Sequence, residues 1–217
     1  VFRIKICGVR AAEDVRAAEA AGADCIGLNF YPPSVRYLQP EAAALLVEAT
    51  PTLKSAGVFV NEPVDRVREI AETVKLDWVQ LHGDETLQTG RDLIAAGLSV
   101  IRAVRLPTTE LTAATIDAIV LPWAEIGARI LLDADGGPQF GGSGQRLDWD
   151  GIGRWAAQAS LNDWILAGGL NPVNVGDAIV RSRAAAVDVA SGTESAPGQK
   201  DPAKIAAFVD NAKAVWA

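Results

Sequence analysis

One pattern recurs from end to end of this chain: a short apolar run, a polar or glycine residue where it stops, then a stretch with helical spacing. The first instance is Arg3 to Gly8, reading Arg-Ile-Lys-Ile-Cys-Gly, followed by an alanine-rich helical segment from Ala11 to Gly22. Further strands are predicted at Cys25 to Phe30, Gly57 to Val60, Trp78 to His82 and Ser99 to about Val104. Three more follow at Ala128 to Leu132, ending on Asp133, at Asp163 to Ala167 and at Ala185 to Val189. Helices are predicted between them, with Pro40, Pro63 and Pro202 placed where a first helical turn tolerates proline. The fifth, Thr108 to Val120, is expected to stop at Leu121-Pro122-Trp123, because an interior proline loses a backbone hydrogen bond.

Eight strand–helix pairs in 217 residues give a repeat of about 27 residues, enough for one βα unit with tight loops. The expected fold is therefore α/β, a single-domain (β/α)8 TIM barrel over residues 1–217, with no linker. A doubly wound sheet is the competing architecture, but its glycine fingerprint after the first strand is missing, since Gly8 stands alone there. In a barrel every strand opens on one face. Cys7, Asn29, Asn61, His82, either Arg102 or Arg105, Asp133, Gly168 and Asp188 should then ring a single mouth.

Composition narrows the partners. A formal net charge of −7 argues against nucleic acid, which needs clustered Lys and Arg. No apolar run approaches a membrane span and no signal-peptide layout opens the chain, so the protein reads as cytoplasmic, without a membrane partner. Its two cysteines, Cys7 and Cys25, fall at opposite ends of neighbouring strands, on the order of 10 Å apart and beyond disulfide reach. With His82 the sole histidine, a Cys/His zinc site lacks ligands, and neither metal nor organic cofactor is expected.

The turns Ala167-Gly168-Gly169 and Ala190-Ser191-Gly192 follow the seventh and eighth strands, where barrels bind phosphate through backbone N–H groups. Taken singly either is an ordinary turn; together they favour a small phosphorylated ligand, with Gly168, Gly169, Ser191 and Gly192 against the anion. Asp133 ends an apolar run that should raise its carboxyl toward useful general-acid values, and Asp135 is its rival from the following loop. Cys7, in isolation an inert core thiol, becomes beside such an acid a candidate base needing only a modest downward shift from about 8.5. Arg36 is placed to grip a substrate carboxylate through a bidentate contact, and Asp188 to accept hydrogen bonds from substrate hydroxyl or amine groups. His82 is counted with the substrate-binding rim and given no proton-transfer role.

The order and spacing of these motifs closely resemble the phosphoribosylanthranilate isomerase family of tryptophan biosynthesis. The resemblance runs through Lys5-Ile6-Cys7-Gly8, Ser34-x-Arg36, Gly57 to Asn61, Gln80-Leu81-His82-Gly83 and Leu132-Asp133. It continues through Gly141-Gly142-Ser143-Gly144, Ala167 to Pro172 and Val187 to Glu194. It implies an Amadori rearrangement with Cys7 as general base and Asp133 as general acid, Arg36 facing the anthranilate carboxylate, and Gly142 and Ser143 joining the other glycine turns on the phosphate. A monomer is expected ahead of a homodimer. Two alternatives stay open: a dual-substrate sugar-phosphate isomerase serving histidine biosynthesis as well, and a catalytically silent phosphate-binding barrel.

Overall fold

The computed structural model describes residues 2–107, 111–134 and 146–217. Eight parallel strands close in sequential order: β1 (Ile4–Cys7), β2 (Cys25–Asn29), β3 (Lys54–Phe59), β4 (Trp78–Leu81), β5 (Val100–Leu106), β6 (Arg129–Ala134), β7 (Trp164–Leu166) and β8 (Ala186–Val189). β8 pairs with β1 and completes the barrel. The helices are α1 (Ala12–Ala21), α2 (Pro40–Glu48), α3 (Val64–Val74), α4 (Leu87–Ala95), α5 (Ala113–Glu125), α6 (Trp149–Ala156), α7 (Val175–Ser182) and α8 (Pro202–Trp216). The expected TIM barrel is thus the fold.

The helix ends have local causes. Asp14 accepts from the Arg10 and Ala11 amides at the start of α1, and Gly22 stops it in the left-handed conformation at φ 76°. Asp201 accepts from the Ala203 and Lys204 amides at the start of α8, with Pro202 in its first turn. Two helices depart from expectation. α5 runs straight through Pro122 to Glu125, because Ile116, Val120 and Trp123 bury one face and packing outweighs the lost hydrogen bond. α7, which the sequence would start at Asn171-Pro172, starts at Val175, after Asn171 and Asn174 have tied their side chains to each other's backbone in a turn.

Side chains alternate along each strand between two cores. Ile4 and Ile6 of β1 join the large apolar layer between strands and helices, while Lys5 and Cys7 turn to the barrel axis. The axis is lined by small groups, among them Ala56, Ala103 and Ala186, together with Ile101, Leu131 and Ile165. Its lower end is shut by Phe2, Trp78 and Arg129. The Arg129 guanidinium lies 4.4 Å over the Phe2 ring and donates to the Phe2 carbonyl and to Asp163. The interior therefore opens only where the strands end.

After β8 the chain adds a feature that the strand–helix pattern did not show. A short 3-10 turn, Ser191–Thr193, leads into a small antiparallel pair, β9 (Glu194–Ala196) and β10 (Gln199–Lys200), before α8.

Candidate active site

The open end holds a cleft whose empty space, open solvent at the mouth included, is about 790 Å³. Cys7, Asn29, Arg36, His82, Asp133, Gly168, Gly169, Asp188 and Ser191 all line it, whereas Asn61, Arg102 and Arg105, expected at the same mouth, do not and pair with Asp84 or Glu85. Gly142, Ser143 and Asp135 lie outside the described residues.

Cys7 projects from the last position of β1 opposite Gly27 of β2. Gly8, at φ 77°, turns the chain away and donates to the Gly27 carbonyl at 2.9 Å, which leaves the thiol at the rim. A Cβ on Gly27 would come within 2.7 Å of the sulfur, so this close approach requires glycine. The expected downward shift of the thiol is corrected by its surroundings. Burial pushes Cys7 above its ordinary value; Lys5, Lys200 and Arg36 pull it down in part, and Asp188 pushes it further up.

Asp133 stands near the end of β6. Its Oδ1 accepts from the Ala134 amide at 2.9 Å, and its Oδ2 lies 3.4 Å from His82 Nε2, which has no hydrogen-bond partner among the described residues. The Gln80 amide sits 3.0 Å from His82 Nδ1 and steadies the other edge of the ring. Gly168, at φ 80°, lets the end of β7 abut Asp133, where a Cβ would stand 3.1 Å from Oδ1. His82 therefore stands beside the acid as well as in the cleft.

Arg36 does not have both edges free, as a bidentate grip on a substrate carboxylate would suggest. Its Nε and Nη2 are spent on Glu194 at 2.6 and 2.8 Å, so only the outer edge faces the cleft. That pairing raises the Arg36 pKa and holds the Glu194 carboxyl below its ordinary value despite burial. Glu194 also accepts from the Gly198 amide and from Lys200, whose Nζ donates to the Ala190 carbonyl at 2.7 Å. β9 and β10 thus lock the Arg36 loop onto the end of β8.

Asp188 lines the cleft while one of its oxygens turns to the barrel axis. Its Oδ1 meets Lys5 Nζ at 2.8 Å inside the barrel. A Cβ on Gly192 would overlap the Leu170 carbonyl, so this glycine packs the β7 and β8 turns together, next to Ser191 in the cleft. Lys5, Gln80, Glu194 and Lys200 are functional neighbours that the strand-end pattern does not reveal. For Lys5 a signal existed, since it is two residues from Cys7 on one strand and must share its face. Gln80 carries the same signal toward His82, whereas Glu194 and Lys200 had none, because their partners are set by packing.

The chain matches the family model of N-(5'-phosphoribosyl)anthranilate (PRA) isomerase over residues 4–211. The chain belongs to this family. The N-(5'-phosphoribosyl)anthranilate isomerase of Thermotoga maritima is 40% identical over 214 residues, covering 98% of this chain and 99% of that one. That of Myxococcus xanthus is 41% identical over 217 residues, covering 98% and 97%. A crystal structure of the T. maritima isomerase superposes with a TM-score of 0.85 over 99% of this chain and all of the other. A related structure, 38% identical with a TM-score of 0.82 and again covering 99% and 100%, was solved with reduced 1-(o-carboxyphenylamino)-1-deoxyribulose 5-phosphate. The protein is an isomerase of tryptophan biosynthesis acting on N-(5'-phosphoribosyl)anthranilate. Among the described residues no helix is long and apolar enough to cross a membrane.

Proposed function

We propose that Asp133 and Cys7 carry the isomerisation as general acid and general base on the two sides of a sugar anchored by its phosphate. The observation that supports this most is angular. Acid and base stand on β6 and β1, and the glycine and serine turns ending β7 and β8 lie on the strands between them. A phosphate held there by backbone N–H groups sets the ribose across the axis, between the carboxyl and the thiol.

In the first step Asp133 gives a proton to the furanose ring oxygen; the C1'–O bond breaks and the anilino nitrogen supplies the electron pair, forming the protonated Schiff base. Cys7 as thiolate then removes the C2' proton, and the C–H electrons move to give the enolamine. Tautomerisation with return of a proton to C1' leaves 1-(2-carboxyphenylamino)-1-deoxyribulose 5-phosphate. Protons only change place, so the sequence needs no electron acceptor. His82 would hold Asp133 in line through Nε2, and the outer edge of Arg36 would face the anthranilate carboxylate. Gly168, Gly169 and Ser191 would meet the phosphate, and Gly142 and Ser143 are proposed for the same duty.

We propose a monomer in solution, as expected from the sequence. A T. maritima relative 36% identical is described as dimeric, so sedimentation of the purified protein decides this point. A cytoplasmic location accords with the biosynthetic role of the relatives.

The direct test compares Cys7→Ala and Asp133→Asn with Asp135→Asn in an assay that generates the labile substrate in place. The first two should lose about 10² to 10⁴ in turnover while still binding a reduced product analogue. Near-normal turnover in either would remove that residue from the scheme, and a dead Asp135→Asn would transfer the acid role to the loop.

A further inference from the structure

Among the described residues Lys5 is the most buried charged residue, and it has no part in the steps above. It lies on β1 two residues before Cys7, with its side chain fully enclosed inside a barrel. The room for it comes from the small groups Ala56, Ala103 and Ala186 on neighbouring strands. Its ammonium reaches Asp188 Oδ1 at 2.8 Å, yet off the hydrogen-bonding direction, so its N–H donors are not consumed by that contact. Taking two charges out of water is costly, and an apolar pair of similar volume would pack the axis as well or better. A purely architectural role therefore does not account for it.

We propose that Lys5 is a positioning residue whose buried ammonium supports the ionised thiolate of Cys7, with Asp188 as the counter-charge that sets how much of that support reaches the sulfur. Its place in catalysis rests on Cys7 being the base; its effect on the thiol does not. Six groups bear on the arrangement. Cys7 and Lys5 come from β1, Asp188 from β8, Arg36 from the loop after β2, Lys200 from β10, and Cys25 faces Lys5 from β2. Glu194 neutralises Arg36 through two hydrogen bonds and touches Lys200, so both of those cations are partly spent. Lys5 has only Asp188, and it is the foremost of the groups that favour the thiolate over the buried thiol. Because Lys5 and Asp188 act on the sulfur with opposite sign, removing each should move the thiol in opposite directions, which a mere loss of packing cannot do.

The test is the pH dependence of Cys7 alkylation by iodoacetamide, read on the Cys7 peptide by mass spectrometry so that Cys25 does not contribute. In Lys5→Met the midpoint should rise by about a pH unit or more, and in Asp188→Asn it should fall. Lys5→Met/Asp188→Asn, which leaves no unpaired charge inside the barrel, should fall between the two and serves if Lys5→Met alone does not fold. Unmoved midpoints, or midpoints that move together in one direction, overturn the proposal. The pH profile of kcat/KM is measured on the same variants. Midpoints that separate as expected while that profile keeps both its limbs and its height would uphold the role of Lys5 and count against Cys7 as the catalytic base.

Discussion

Gly27 offers the sharpest test of how the thiol is placed. It is extended backbone in the middle of β2, in register with Cys7, so alanine brings no conformational penalty there and the effect is purely steric. An added Cβ would stand 2.7 Å from the Cys7 sulfur, 2.9 Å from its backbone carbon and 3.1 Å from its side-chain methylene, whereas ordinary packing begins near 3.4 Å. Rotating the thiol relieves only the first of these, and the clash with the Cys7 backbone obliges β1 and β2 to part by about half an ångström at the mouth. Overpacking of this kind costs about 1–3 kcal/mol, and a domain of this size loses roughly 2–4 °C in Tm for each kcal/mol. The sulfur moves by about 0.7 Å or more, and a misplacement near 1 Å costs on the order of 10²-fold in rate. Gly27→Ala should therefore melt a few degrees lower and lose about 10²-fold in kcat, with a much smaller change in KM, since the phosphate turns are on other strands. Steady-state kinetics on substrate generated in place, beside a thermal melt, gives both numbers. A variant that melts as calculated but turns over within about threefold of the parent would refute the link between this steric clash and the chemistry.

Three further outcomes concern other parts of the molecule. Gly176, inside α7, would place a Cβ at 3.5 Å from Val215 and 3.8 Å from the Asn211 carbonyl, which is ordinary packing, so Gly176→Ala should stabilise by about 0.5–1 kcal/mol in chemical denaturation. Glu194→Gln removes the charge that orients Arg36; KM for substrate should rise severalfold, with stability down by about 1.5–3 kcal/mol at neutral pH. Since the fold depresses the Glu194 carboxyl, its contribution is complete above the ordinary value of 4.5 and disappears as pH falls through the lower folded value. The difference in melting temperature between parent and Glu194→Gln should accordingly shrink on acidification below pH 4.5, and a constant gap would exclude this ion pair as its source. Finally, because burial raises the Cys7 thiol above its ordinary 9.0, the thiolate is scarce at neutral pH, and the rate of Cys7 alkylation should climb about tenfold per unit from pH 7 to 9. The same sign makes the neutral thiol the form favoured by folding, so its contribution to stability is full below that pH and is lost above it. An alkylation rate flat over that range would contradict the raised thiol.

Much of the site was legible because a parallel barrel turns one-dimensional information into a ring. Where a strand stops is local, written in β-branched runs and the glycine or polar residue that closes them, so Cys7, His82 and Asp133 could be assigned to one mouth before any packing was known. The errors lie where local rules meet packing. Pro122 looked like a helix end, but the apolar face around Trp123 carries α5 past it. Gly192 also packs the turns after β7 and β8 against each other, a duty its place in the chain did not show.

By itself, then, the amino-acid order determined the repeat, the closure into a barrel, the residues delivered to its open end and the family. Which charges neutralise one another was decided by tertiary structure alone. Arg36 meets Glu194 across 158 positions of chain, and Lys5 meets Asp188 only because β8 returns to pair with β1. Such pairings depend on register and on barrel closure, which place side chains within a few ångströms regardless of their distance in sequence. In a low-dielectric interior those few ångströms determine whether a guanidinium, a carboxylate or a thiol is free to meet a substrate or is already engaged.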